Sequence, residues 1–322
     1  MGKRVLVTGG AGFIGSHLID ALVNDGFEIL VLDNFDPVYF RVIKENNLAN
    51  SRQAENFTLI EADIRDREGV CRIFEQWRPD LVVHLAAKAG VRPSVQDPWS
   101  YFEVNVTGTV NVLDAAIYSG VKKVIFASSS SVYGLNKKVP FSEDDPVLYP
   151  ASPYGATKIS GEAICRSYSN CFQMPIVALR FFTVYGPRQR PDLAIHKFAR
   201  MIMRNEPIPV FGDGFTKRDY TYVEDIIEGI RAAMEYSPSG CEVFNLGNDH
   251  PVRLIELIHL LEDALGRKAM INHLPPQVGD VPQTWADLSR ARVLGYAPGT
   301  GLKEGIKRFV EWIDAHVGQI IT

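Results

Sequence analysis

The chain has 322 residues, 46% hydrophobic and 22% charged, a composition that suits a soluble globular protein able to bury one large core or two smaller ones. A formal net charge of -4 and a pI near 6.0 argue against a nucleic-acid partner or an anionic membrane, since both need a basic surface, so any phosphate must be bound by a local site. Cys71, Cys165, Cys171 and Cys241 show no C-x-x-C spacing and no histidine cluster, so neither a metal site nor a redox pair is expected, and no apolar run is long enough to span a membrane.

From the N-terminus, Met1 to Arg4 lead directly into an apolar run, too short a start for a secretory signal, and a cytoplasmic location is expected. Short β-branched runs at residues 5–8, 29–33, 57–60, 81–85, 123–128 and 176–182 read as buried strands. Between them, residues 13–24, 67–77, 98–119 and 152–171 read as helices. Residues 34–56 form the longest connection, and their Asn/Asp/Pro-rich start predicts a surface loop near the ligand end of the sheet. Strictly alternating strand and helix implies an α/β, doubly wound parallel sheet. After residue 182, Gly and Pro punctuate the chain, and helices are expected at 194–204, 254–265 and 302–316. The predicted division is therefore a Rossmann domain over 1–182 and a smaller C-terminal α/β lobe over 183–322, with 221–247 returning to the first through a helix and one more strand at 243–246.

Gly9-Gly10-Ala11-Gly12-Phe13-Ile14-Gly15 follows a strand and opens a helix, the context of a dinucleotide-binding turn. Glycine lets backbone N–H groups approach a pyrophosphate, whose charge the helix N-terminus favours. Asp33 ends the next strand, where a carboxylate bonds a ribose 2'-hydroxyl and repels a 2'-phosphate. No basic residue adjoins it in Leu32-Asp33-Asn34-Phe35, so NAD is expected over NADP. Asp63-Ile64 and Leu85-Ala86-Ala87 follow the third and fourth strands, where the rest of the nucleotide would lie, while His84 reads as a buried core histidine.

Tyr154 and Lys158 stand four apart on a predicted helix and so share a face. A nearby ammonium would favour the phenolate and make Tyr154 a general base. The hydroxyls of Ser128 to Ser131 follow the fifth strand, at the same edge of the sheet.

Gly9-x-x-Gly12-x-x-Gly15, Ser129 and Tyr154-x-x-x-Lys158, in this order and on these elements, resemble the extended short-chain dehydrogenase/reductase family, and the resemblance runs the length of the chain. It implies that Ser129, four residues before the tyrosine of Val132-Tyr133-Gly134, bonds the sugar of a nucleotide-diphosphate substrate. Phe211-Gly212-Asp213-Gly214 and the following Lys217 to Asp225 are similar to the family's diphosphate segment, which assigns Arg218 to the diphosphate. Gly279-Asp280-Val281-Pro282 resembles its later contact loop, which assigns Asp280 to the nucleoside ribose. Family members commonly pair through the helices at 98–119 and 152–171, so a homodimer is expected.

Dehydratases of this family resemble T-D-E-V-Y-G, and its decarboxylases usually retain a Glu before V-Y-G; Ser130 and Ser131 stand in those places here. Without acid/base carboxylates elimination has no evident catalyst, whereas 4-epimerisation needs only reversible hydride transfer and one base. Arg180-Phe181-Phe182-Thr183 through Arg190-Pro191-Asp192 and Ala89-Gly90-Val91-Arg92 resemble UDP-glucuronate 4-epimerases. Thr183, Arg190 and Arg92 thus become candidate partners of a substrate carboxylate, with a surface or diphosphate contact equally open for either arginine. A UDP-glucose or UDP-N-acetylglucosamine 4-epimerase is the alternative within the class, and a dinucleotide sensor without turnover is the alternative outside it, disfavoured by the intact Tyr and Lys.

Overall fold

A computed structural model describes residues 3–277 and 279–316. Its strands in chain order are β1 Arg4–Thr8, β2 Glu28–Asp33, β3 Phe57–Glu61, β4 Leu81–His84, β5 Lys123–Ser129, β6 Ile176–Phe181, β7 Thr183–Tyr185, β8 Ile208–Phe211, β9 Lys217–Tyr222, β10 Cys241–Leu246, β11 Pro251–Arg253 and β12 Ile271–Leu274. Seven form one parallel sheet in the order β10-β6-β5-β4-β1-β2-β3. This is the expected doubly wound α/β architecture, and β10 returns to pair with β6 in parallel register.

Side chains alternate between the two faces of this sheet. Val5, Val7, Ile29 and Val31 enter one core, and Leu6, Leu30, Leu32 and Val82 the other. Both faces are buried, which is why the strands read as unbroken apolar runs rather than as polar/apolar alternation. A third core, with Phe198, Val210, Leu257 and Phe309, lies under the helices Ala194–Met203, Leu254–Leu265 and Leu302–Ala315. Its strands are only three to six residues long and lie between Gly- and Pro-rich connections, so the sequence signalled the helices there and missed β7, β8, β9, β11 and β12.

Register brings the functional segments to one edge. Thr8 pairs with Leu32 and His84, and Ser129 pairs with Phe181, so the carboxyl ends of β1, β2, β4, β5 and β6 lie side by side. The strand order reverses direction between β1 and β4, and such a switch point opens a crevice for ligand.

Two elements differ from expectation. Residues 34–56 contain a helix, Arg41–Asn47, and a single turn at Ser51–Gln53, rather than only a surface loop. Seven residues are too few for a periodic signal, but Lys44 and Asn47 are buried, and Asn47 Nδ2 donates to Ala11 O at 3.1 Å. The helix expected over 98–119 runs as Pro98–Phe102 and Gly108–Ser119, joined by a wider π turn at Glu103–Thr107. Within that turn Asn105 donates to Lys88 O at 2.9 Å and to Thr157 Oγ1 at 3.0 Å, tying it to the edge that carries the site.

Candidate active site

A cavity of about 480 Å³ opens along that edge. Gly9 adopts φ +71°, and a Cβ there would meet the Ala86 backbone at 2.7 Å; one at Gly15 would stand 2.4 Å from Gly9 O. The turn therefore excludes side chains where the chain passes closest, and the helix Phe13–Asn24 starts against the cavity with its first N–H groups lacking intrahelical partners. Gly9, Gly12, Phe13, Ile14, Gly15, Asp33, Asn34, Asp63, Ile64, Leu85, Ala86 and Ala87 all line this cavity. These residues fit a dinucleotide: a glycine turn and helix terminus for a pyrophosphate, and a carboxylate for a ribose.

Asp33 is buried, with Oδ2 accepting from Ala11 N at 3.0 Å and Oδ1 from Phe35 N at 2.8 Å. The sequence placed no cation beside it, but the helix Arg41–Asn47 brings Lys44 Nζ to 3.9 Å from Asp33 Oδ1. Burial holds the Lys44 pKa below its usual value, and its ammonium lies 5.0 Å from the Tyr39 ring. Asp63 is drawn down to about 2, chiefly by hydrogen bonding from Arg65, and it accepts from Asn34 Nδ2 at 2.9 Å. His84 bonds Thr8 Oγ1 at 2.7 Å and Thr109 Oγ1 at 3.1 Å, a satisfied core histidine.

Ser129, Tyr154 and Lys158 line the same cavity. Ser152 Oγ caps the helix Pro153–Phe172 by accepting from Gly155 N at 3.1 Å, and Pro153 suits its first turn, so Tyr154 enters at the start and Lys158 follows one turn on. Tyr154 N donates to Ser94 Oγ at 3.0 Å, and its ring meets Tyr101 edge-on. Lys158 Nζ donates to Ala127 O at 2.7 Å and lies 6.0 Å from the centre of the Tyr154 ring.

The electrostatics differ from the expected picture. Burial raises the Tyr154 phenol above its ordinary value, opposed by the Ser129 hydroxyl and the Arg190 guanidinium, while burial also brings Lys158 down to about 8. Desolvation prevails at both positions, Lys158 being buried and Tyr154 largely so. Beneath them Glu162 accepts from Arg180 through both oxygens at 2.8 Å and from Ser128 Oγ at 2.6 Å, a buried pair joining the helix Pro153–Phe172 to β5 and β6.

A family model described as GDP-mannose 4,6 dehydratase matches residues 6–309. The chain belongs to that family. The UDP-glucuronate 4-epimerase of Thermodesulfobacterium geofontis is 40% identical over 95% of both chains. Among solved structures, UDP-glucuronic acid 4-epimerase from Bacillus cereus, in complex with UDP-glucuronic acid and NAD, is 39% identical with a TM-score of 0.92, covering 97% of this chain and 99% of its own. UDP-glucose 4-epimerase from Thermotoga maritima, with UDP-glucose, is 36% identical with a TM-score of 0.90, covering 98% and 99%.

The family's substrate segments fall in two places. Arg190 lines the larger cavity, whereas Thr183, Arg218 and Asp280 line a second one of about 190 Å³, with Ser130, Ser131 and Thr284. Thr183 and Arg190 thus open onto different cavities, although Val184, next to Thr183, faces the larger one. Arg218 is half-buried, and desolvation lowers its pKa, while Nη1 donates to Lys217 O at 2.8 Å. Arg92 pairs with Asp280 at 2.9 Å and lies over the Phe211 ring at 4.5 Å. It therefore stands with the nucleotide-sugar segments, and the structure does not bring it to Arg190. Sequence reasoning missed Tyr39, Lys44 and Lys88, which all line the larger cavity. Lys88 could have been found, since it directly follows the Leu85-Ala86-Ala87 run; Tyr39 and Lys44 lay in the segment read as a loop.

Proposed function

We propose that this protein is an NAD-dependent 4-epimerase of UDP-sugars, acting on UDP-glucuronate to give UDP-galacturonate. The observation that carries the reading is that Ser129, Tyr154, Lys158 and Arg190 line one cavity with the dinucleotide turn. The similarity to epimerases over nearly the whole chain supports it. NAD, when bound, supplies the acceptor and later the donor of the C4 hydride. As the phenolate, which the Lys158 ammonium and the positive nicotinamide of bound NAD would favour against the effect of burial, Tyr154 takes the proton of the sugar 4-hydroxyl, and Ser129 holds the oxygen that becomes the carbonyl. Lys158 Nζ, fixed by Ala127 O, would bond the nicotinamide ribose, and its positive charge stabilises the phenolate before it takes the proton and after it has returned it. After the 4-keto sugar turns over, Tyr154 returns the proton to an alkoxide of inverted configuration.

Arg218, on the smaller cavity, is assigned to the diphosphate, and Asp280 to the nucleoside ribose. The similarity to a UDP-glucose epimerase keeps neutral hexose as a second reading. Incubation with UDP-glucuronate, UDP-glucose and UDP-N-acetylglucosamine, with products read by NMR, decides between them. Absence of UDP-galacturonate would refute the first, and inversion of UDP-glucose alone would establish the second.

The same reading includes a homodimer. Trp99, Phe102, Tyr118 and Phe172 are exposed on the helices Pro98–Phe102, Gly108–Ser119 and Pro153–Phe172, an apolar outer face of the kind that pairs. Light scattering at micromolar concentration should return twice the 35.9 kDa chain mass, and the monomer mass would refute it.

A further inference from the structure

Arg190 does not offer a bare charge to the cavity. Its Nε meets Asp192 Oδ1 at 3.0 Å and its Nη2 meets Oδ2 at 2.8 Å, a two-pronged pairing, while Nη1 reaches Ala89 O at 3.4 Å. The arginine side chain is 13% exposed and that of Asp192 44%, so the carboxylate lies on the wetter side of the guanidinium. Guanidinium carries five N–H donors, and the contacts just named leave one hydrogen on each terminal nitrogen for a ligand.

We propose that Asp192 sets how strongly the site distinguishes an acidic sugar from a neutral one; this rests on the assignment of Arg190 to the substrate carboxylate. A guanidinium already paired with a carboxylate is close to neutral as a unit. A uronate entering the cavity gains hydrogen bonds from the remaining donors but only part of the attraction of an uncompensated cation. A neutral hexose loses little, because binding it does not strand Arg190 as an unpaired buried charge. Asp192 therefore levels the two sugars, and its removal makes the site selective through both effects: stronger attraction for the uronate and a desolvation penalty against the neutral sugar.

The test uses the full-length, NAD-loaded protein and measures dissociation constants for UDP-glucuronate and UDP-glucose by competition. In Asp192→Asn the ratio of affinities should move toward UDP-glucuronate by roughly five-fold, as fits a partly exposed charge pair. Asp192→Glu, which restores a carboxylate, should return the ratio to that of the unaltered protein. Asp192→Ser is a second neutral variant should the first not fold. A ratio unchanged in the neutral variants, or equal weakening of both sugars, would overturn the proposal and leave Asp192 as a loop brace. Failure of the unaltered protein to bind UDP-glucuronate would overturn the functional reading and this inference together, whereas binding with an unchanged ratio overturns the inference alone.

Discussion

The Ala11 amide donates to Asp33 Oδ2 at 3.0 Å, so the carboxylate that ends β2 also holds the glycine turn after β1. One side chain thus braces the turn and faces the cavity, with Lys44 Nζ 3.9 Å from its other oxygen.

Replacing Asp33 by Ser should weaken NAD by roughly tenfold or more, the scale of hydrogen bonds to a charged group, and narrow its preference over NADP. Lys44 would then stand free of its partner beside the ribose, so adding Lys44→Met should remove NADP affinity again. Fluorescence titration with both dinucleotides reads this, and an unchanged preference in Asp33→Ser would mean that the ribose contact lies elsewhere.

Tyr154→Phe removes the proton acceptor but keeps the ring that packs on Tyr101. Turnover should fall by about 10²- to 10⁴-fold, with NAD affinity and melting temperature nearly unchanged. Activity close to that of the unaltered protein would remove Tyr154 from the mechanism.

Oxidation of a glucuronate at C4 creates a β-keto acid, which loses CO2 when the bond to the carboxylate aligns with the carbonyl π system. An epimerase must hold that carboxylate near the ring plane, the task assigned here to Arg190, since Thr183 opens onto the other cavity. Arg190→Ser should weaken UDP-glucuronate more than UDP-glucose, by roughly tenfold, and release 4-keto-pentose detectable by mass spectrometry. Equal affinities with no pentose would assign the carboxylate to another group.

Burial pushes His84 down to about 3 and His17 to about 4, against 6.5 for a free imidazole. Below pH 6.5 the unfolded chain takes up protons that the folded protein refuses. The stability these residues contribute is therefore complete above 6.5 and is lost as pH falls toward 4 for His17 and toward 3 for His84, by at most about 1.4 kcal/mol per pH unit for each. Urea midpoints should drop between pH 7 and pH 5, and His84→Gln should flatten the slope. A variant slope equal to that of the unaltered protein would contradict this account.

Local spacing was enough to read the sheet strands, the turn from Gly9 to Gly15 and the Tyr154/Lys158 pair, because each depends on neighbours a few residues apart and on burial of both sheet faces. The same reading left residues 34–56 as a loop, since a seven-residue helix has no periodicity to detect, and so it could not see Lys44 beside Asp33. Contacts between distant segments were equally invisible: Arg92 meets Asp280 across 188 positions, away from Arg190. Only the tertiary structure put Thr183 and Arg190 on separate cavities and raised the Tyr154 phenol instead of lowering it. Spacing brings a charge near a group, but the degree of enclosure decides whether attraction or desolvation prevails, and enclosure is a property of the whole packed chain.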